Sequence, residues 1–301
     1  LIELEHAEVY YGDFKALDGV SCRIEGGAVG LLGPNGAGKS TLMKTLLGFN
    51  RASSGVVRLF GLDMPRHALE ARQQLGYMPE REVVSPKVSA VSFLTYCGRL
   101  FGMSQVDARE RSHEVLNYVG LGENRYRKME TYSTGMLQKV KLAQALVHDP
   151  KLLLLDEPTN GLDPDSRVEM LELIKDIVRK RDVTIILSSH LLPDVQHVCE
   201  RVLIINGGRI LQDDSIESMT SRLDRQFEVR VRDNKPAFLE ALRAAGFGVK
   251  EQQNGNLVVQ LTDQASARGI FELARAKDTQ VRHFLPARQS LEDVFMQALE
   301  N

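Results

Sequence analysis

One segment limits the fold more than any other: Gly33-Pro34-Asn35-Gly36-Ala37-Gly38-Lys39-Ser40. Its outer glycines, lysine and hydroxyl stand at the spacing of a phosphate-binding loop, which works between the end of a β-strand and the start of an α-helix. Both flanks fit. The apolar run Val29–Leu32 precedes the loop, and Lys39–Leu47 reads as a helix. The glycines let backbone N–H groups close around phosphate oxygens, and the helix N-terminus adds partial positive charge. Lys39 is placed to neutralise β- and γ-phosphates. The Ser40 hydroxyl is placed to coordinate Mg²⁺, and Thr41 to support the phosphates at the helix start.

The rest of the chain supplies a sheet for that loop. Leu152–Leu155 and Val183–Leu187 are further short apolar runs, ending at Asp156 and at Ser188-Ser189-His190. Continuous apolar runs suit parallel strands covered on both faces. Helical patterns over Leu137–Val147 and Arg167–Arg179 separate them, which is the alternation of a doubly wound α/β domain. An antiparallel section is expected beside it. Val20, Cys22 and Ile24 alternate with Ser21 and Arg23, and Asn206-Gly207 predicts a hairpin between Val202–Ile205 and Arg209–Leu211. Pro86 breaks the chain before a mostly helical stretch, Val88–Tyr126, interrupted at Gly120-Leu121-Gly122. This predicts a helical subdomain at about 86–130 inserted in the α/β core.

Beyond Ser221 the pattern changes. Strands are expected at Phe227–Val231, Phe247–Lys250, Leu257–Leu261 and Val281–Leu285, with helices at Pro236–Ala245 and Gln264–Ala276. The order βαββαβ suggests a ferredoxin-like domain. A last helix is expected from Ser290, capped through Asp293, with Leu291, Val294, Phe295 and Leu299 on its apolar face. The expected domains are therefore 1–220 and a smaller α+β domain at 221–301, in line with two domains for 301 residues.

Composition excludes some functions. A net charge of −2 argues against a chain built to grip nucleic acid. Cys22, Cys97 and Cys199 lack CxxC spacing and read as reduced thiols of a cytoplasmic protein. The acidic start, with Glu3, Glu5 and Glu8, does not read as a signal peptide. No apolar stretch reaches the roughly 18 residues a membrane-spanning helix needs. A membrane role would go through a partner, with no direct insertion.

Asp156 and Glu157 follow the second apolar run, at the strand end where open α/β sheets bind ligands. Asp156 is placed to hold Mg²⁺, and Glu157 to polarise an attacking water beside a γ-phosphate. A carboxylate base, a lysine and a metal are sufficient parts for phosphoryl transfer. These parts are common to many nucleotide hydrolases, and two acids can also simply cap a strand.

Further motifs narrow the class. Tyr132-Ser133-Thr134-Gly135-Met136-Leu137-Gln138-Lys139 directly precedes a helix. Pro158-Thr159-Asn160-Gly161-Leu162-Asp163-Pro164 follows Glu157, and Gly76-Tyr77-Met78-Pro79-Glu80 lies between the phosphate loop and the helical stretch. Taken in this order over about residues 2–220, the set resembles the ATPase subunits of ABC transporters. The first motif resembles their signature, the second their D-loop and the third their Q-loop. His190 matches the switch histidine, and Tyr11 the aromatic that stacks on adenine, with Tyr10 as the alternative. The tail Ser290–Phe295 resembles the ABC-2 exporter branch.

The resemblance implies an ABC-type P-loop NTPase fold: a mixed-sheet core, an antiparallel β subdomain and an inserted helical subdomain. It implies ATP and Mg²⁺ as cofactors, Glu157, His190 and Lys39 as catalytic residues, and Ser40, Glu80 and Asp156 at the metal. It places Ser133 and Gly135, at a helix start that favours an anion, against the γ-phosphate of a second copy, and Asp163 in the D-loop. A homodimer on integral membrane permease subunits, peripheral on the inner face of the cell membrane, follows from it. So does ATP-driven transport, with export favoured. The other reading is a non-transport ABC ATPase acting mechanically on a cytoplasmic complex. Three positions depart from the family pattern: Glu80 stands where many members have glutamine, Thr134 where glycine is common, and Met136 where glutamine is common. The stretch Arg81–Leu100, with Val83, Val84, Val88, Val91, Phe93 and Leu94, corresponds to the surface that receives a permease helix, or else forms the subdomain's own core.

Overall fold

The computed structural model describes residues 1–81, 85–181, 183–219, 226–251, 256–261, 266–286 and 295. The chain divides into two compact units, Leu1–Ser215 and Ile216–Asn301.

The first unit opens with a hairpin of β1 (Ile2–Tyr11) and β2 (Phe14–Ile24). Then β3 (Ala28–Leu32) runs through the glycine-rich loop into α1 (Lys39–Leu46). After β4 (Ser54–Leu59), β5 (Leu62–Asp63), α2 (Ala68–Arg72) and β6 (Leu75–Met78) come α3 (Ala90–Leu100) and α4 (Gln105–Tyr118). The unit continues with α5 (Thr134–Leu146), β7 (Leu152–Asp156), α6 (Pro164–Arg181), β8 (Thr184–Ser189) and α7 (Leu192–Val198). It ends with β9 (Arg201–Asn206) and β10 (Arg209–Ser215).

The main sheet has the order β10-β9-β3-β8-β7-β6. Its strands are parallel except β10, which pairs antiparallel with β9 at the edge. This order positions the site. β3, β8 and β7 are neighbours, so the segments leaving their C-terminal ends emerge side by side. Those segments carry the Gly33 loop, His190 and the Asp156–Glu157 pair. Parallel strands expose such ends together because every crossover returns the chain to the same starting edge.

Apolar side chains of alternate parity hold the layers. Val29, Leu31, Leu152, Leu154, Ile186, Leu203 and Ile205 face a core shared with α1 and with the second sheet, ordered β2-β1-β4-β5. Val20 and Ile24 of β2 are buried in that core while Ser21 and Arg23 are exposed, as their alternation predicts. The helical stretch forms as expected. Ser89 caps α3 by accepting from the Ser92 N–H at 3.3 Å, and Ser104 caps α4 by accepting from Asp107 at 3.2 Å. Val91 and Leu94 are buried in the subdomain itself, whereas Val88 is exposed. Val83 and Val84 lie outside the described residues.

One local expectation shifts. The hairpin turn is centred on Gly207-Gly208, with φ of 53° and 77°, and Asn206 already pairs with Arg209. Two glycines at positive φ cost no Cβ strain, so the turn takes them in preference to Asn206-Gly207.

The second unit contains β11 (Gln226–Val231), α8 (Lys235–Ala244), β12 (Gly248–Glu251), β13 (Leu257–Gln260), α9 (Ala267–Ala276) and β14 (Val281–Pro286). Its sheet is antiparallel in the order β12-β13-β11-β14, with the two central strands first and third in sequence, which is the ferredoxin-like arrangement. Phe238, Leu242, Ile270 and Ala274 from the helices pack on Val229, Leu257 and Val259. The helix expected from Ser290 falls outside the described residues, apart from Phe295. Among the described residues no helix is long and apolar enough to cross a membrane.

Candidate active site

A cleft of about 590 Å³ opens at the C-terminal ends of β3, β7 and β8. Residues 34–41 form its floor. Tyr11, Phe14 and Ala16 from the β1–β2 hairpin stand at one side, and Glu80, Asp156, Glu157, Asn160 and His190 at the other. Tyr10 is not among the lining residues; it sits beside Lys15, 5.3 Å from its ring centroid.

The loop needs its glycines. Gly33 lies so close to β9 that an added Cβ would stand 2.2 Å from the Ile205 carbonyl oxygen. Gly38 caps α1 with φ 111°, a conformation side chains rarely adopt. Lys39 is buried, and its Nζ donates to the carbonyls of Gly33 at 2.7 Å and Pro34 at 3.2 Å. It also lies 3.7 Å from Glu157 Oε1.

Glu157 is 6% exposed and has φ 49°. A glutamate at positive φ is strained, and such strain gathers where a side chain must be aimed. Its N–H is held by the Ser188 carbonyl at 3.1 Å, and its Oε2 meets His190 Nδ1 at 2.9 Å. Glu157 is thus fixed between a cation and an imidazole that is 44% exposed toward the cleft mouth.

Asp156 is buried, accepts from Ser40 Oγ at 3.2 Å, and its Oδ1 has no hydrogen-bond partner among the described residues. Burial pushes its carboxyl above the ordinary range, against the pull of hydroxyl bonds that include Ser40. A buried carboxylate oxygen without a partner beside a serine hydroxyl fits a divalent cation, which would restore the ionised form. Mg²⁺ takes one or two carboxylates and completes its shell with water and phosphate oxygens. The donor set here, Ser40, Asp156 and Glu80, suits that economy.

Three expected site residues stand elsewhere. Ser133, Gly135 and Asp163 do not line this cleft. Ser133 is exposed and caps α5, accepting from the Met136 N–H at 3.3 Å. Asp163 is exposed and caps α6, accepting from the Ser166 N–H at 3.0 Å and hydroxyl at 2.7 Å, which lowers its pKa. In turn the cleft includes residues that sequence reasoning did not single out. Phe14 pairs with Tyr11 across the hairpin, and Asn160 follows Asp156 and Glu157. The order of motifs gave no signal for Phe14. Asn160 lies in the segment after Glu157 that resembles the D-loop, a resemblance that gives it no role at the cleft.

Known proteins match this chain along its length. The linearmycin resistance ATP-binding protein LnrL of Bacillus subtilis (strain 168) is 34% identical over 247 residues, covering 81% of this chain and 79% of LnrL. A Nod factor export ATP-binding protein I of Burkholderia lata is 31% identical over 296 residues, covering 98% of this chain and 95% of that protein. The chain belongs to the ABC transporter ATP-binding proteins. The ABC transporter family profile matches residues 17–160, and the profile of the DrrA1-3-like ATP-binding protein C-terminal domain matches 221–299. A solved ATP-binding subunit of an ABC transporter superposes with a TM-score of 0.65 at 27% identity, covering 73% of this chain and 92% of that one. As an ABC cassette, the protein is an ATP-binding and ATP-hydrolysing subunit of a transporter.

Proposed function

We propose that this cassette powers export through separate membrane subunits at the inner face of the cell membrane, by closing and reopening a homodimer around two Mg²⁺-bound ATP molecules. Glu157 is the general base, aimed by its backbone and by His190. Lys39 moves its charge onto the β- and γ-phosphates from the carbonyls that now hold it. Tyr11 carries the adenine. Ser40, Asp156 and Glu80 would hold Mg²⁺, which would supply neutralising charge to the phosphates. Ser133 and Gly135 face the nucleotide of the second copy, with Asp163 near the seam. Residues 1–220 do this work, and 221–301 form an accessory domain.

The observation that carries the reading is the meeting of Lys39, Glu157 and His190 beside a glycine loop shaped for phosphate. Exposure of the Ser133 helix start away from its own chain's cleft supports the dimer. A helix N-terminus is an anion site, and here it is turned outward. The naming of relatives for resistance and for export supports the direction.

The test is Glu157→Gln. It should bind ATP like the parent while hydrolysis falls by roughly 10²–10⁴-fold. Hydrolysis at the parent rate would remove Glu157 from the role of base.

A further inference from the structure

We propose that Lys141 positions Glu80 and supplies the positive charge that lets a carboxylate stand at this point of the site. α5 buries Val140, Leu142, Ala143 and Ala145, and in their midst Lys141 is 2% exposed. Burying an ammonium is strongly unfavourable unless its donors are bonded, and a methionine would fill the same space without that burden. The amine therefore has something to hold. Its Nζ donates to the main-chain carbonyl of Glu80 at 2.8 Å.

The bond is one side of a ring. Glu80 Oε1 accepts from Asn160 Nδ2 at 3.3 Å, and the Asn160 carbonyl accepts from Gln138 Nε2 at 3.1 Å. Gln138 lies three residues before Lys141, on the same face of α5. The ring thus joins the segment after β6, the segment after β7 and the helix that Ser133 caps. Glu80 and Asn160 line the catalytic cleft, and both also line a second cavity of about 200 Å³ with Thr134, Gln138 and Lys141. The ring therefore links the cleft to α5, and the cavity beside it reaches Thr134 at the start of that helix.

Charge explains why the residue is a lysine. Asp156, Glu157 and Glu80 bring three carboxylates to one cleft, and Lys39 is already ion-paired to Glu157. Glu80 is solvated in the open cleft. Once polyphosphate fills the cleft, that carboxylate loses water and meets more negative charge. A cation bonded to its own peptide group offsets this. A glutamine at position 80 would need no such partner, so residues 80 and 141 are linked chemically. Lys141 does not line the catalytic cleft, and its described bond toward that cleft runs through the Glu80 carbonyl.

The inference rests on Glu80 acting at the site, so the experiment tests both. ATP hydrolysis is measured over a range of ATP concentrations for the full chain, Glu80→Gln, Lys141→Met and the double variant. Lys141→Met should lower kcat about tenfold with the KM for ATP within about twofold. In the Glu80→Gln background the same change should cost less than about threefold. Lys141→Gln, a donor without charge, should resemble Lys141→Met. Equal loss in both backgrounds, a rise in KM with unchanged kcat, or a parent-like Lys141→Gln would overturn the role of Lys141. If Glu80→Ala, assayed in the same way, leaves kcat and KM at parent values, the site reading of Glu80 is what fails. Thermal melts within about 3 °C of the parent establish that the variants fold. Should Lys141→Met not fold, the cycle is run with Lys141→Gln, and the background dependence decides.

Discussion

At the scale of single residues, the site is set by a few groups whose surroundings are unlike those of ordinary surface charges. Lys39 is buried among two carbonyls and the Glu157 carboxylate, so its ammonium is held ready at the loop. Its removal deletes charge-assisted bonds to phosphate. Lys39→Ala should therefore weaken ATP binding by roughly 10–100-fold, the effect of losing bonds of about 1.5–3 kcal/mol. Equilibrium binding of a fluorescent ATP analogue checks this, and parent-like affinity would contradict the placement. The places of Lys39 and Asp156 in the cleft were legible in the chain because they follow from fixed spacing to a loop and a strand end. The strained backbone of Glu157, at φ 49°, was not legible, since nothing about a glutamate announces a conformation that its neighbours impose.

At the scale of elements, one contact joins the helical subdomain to the sheet. Phe101, at the end of α3, stacks on His148 with ring centroids 3.7 Å apart. His148 Nε2 is 3.0 Å from the Leu75 carbonyl at the start of β6, and its Nδ1 is buried without a partner among the described residues. Nε2 therefore carries the proton and donates, and a second proton at Nδ1 would bury an unanswered charge. Burial lowers the pKa of His148 below its ordinary 6.5. A histidine with a depressed folded pKa contributes stability above its unfolded value and loses it as pH falls through the window below about 6.5. The fall in melting temperature between about pH 7.5 and about pH 5.5 should be smaller for His148→Gln than for the parent. Equal falls would show that His148 does not titrate in this way. In the second unit, α8 is anchored by Phe238, which is fully buried. Phe238→Ala should cost that unit about 3–5 kcal/mol, read as an early unfolding step in a denaturant titration while ATP binding by the first unit persists. Simultaneous loss of both would place the two units in one cooperative block.

At the scale of the whole molecule, the expected behaviour is a dimer that depends on nucleotide. With hydrolysis blocked by Glu157→Gln, light scattering should report about twice the monomer mass with Mg-ATP and the monomer without it. Ser133→Arg puts a bulky cation at the exposed start of α5 and should reduce that ATP-dependent dimer, while leaving ATP binding by the monomer intact. A dimer that forms equally well in Ser133→Arg would argue against the facing arrangement.

The fold class was readable because its signals are local. Apolar runs of four or five residues, a glycine loop and alternating side chains each report on backbone geometry within a few residues. For the same reason β3, β7, β8 and the βαββαβ order of the second unit matched expectation closely. The hairpin at Gly207-Gly208 moved by one residue because strand register, fixed by pairing across β9 and β10, chose which two residues turn. Distant neighbours that no motif brings together escaped the reading. Asn160 and Glu80 are 80 positions apart, and Lys141 and Glu80 are 61 apart. The chain by itself determined which groups can hold phosphate and activate water. Only the tertiary structure decided that an interior lysine of α5 would meet the carbonyl of Glu80, because burial and charge pairing are properties of space, and spacing along the chain does not encode them.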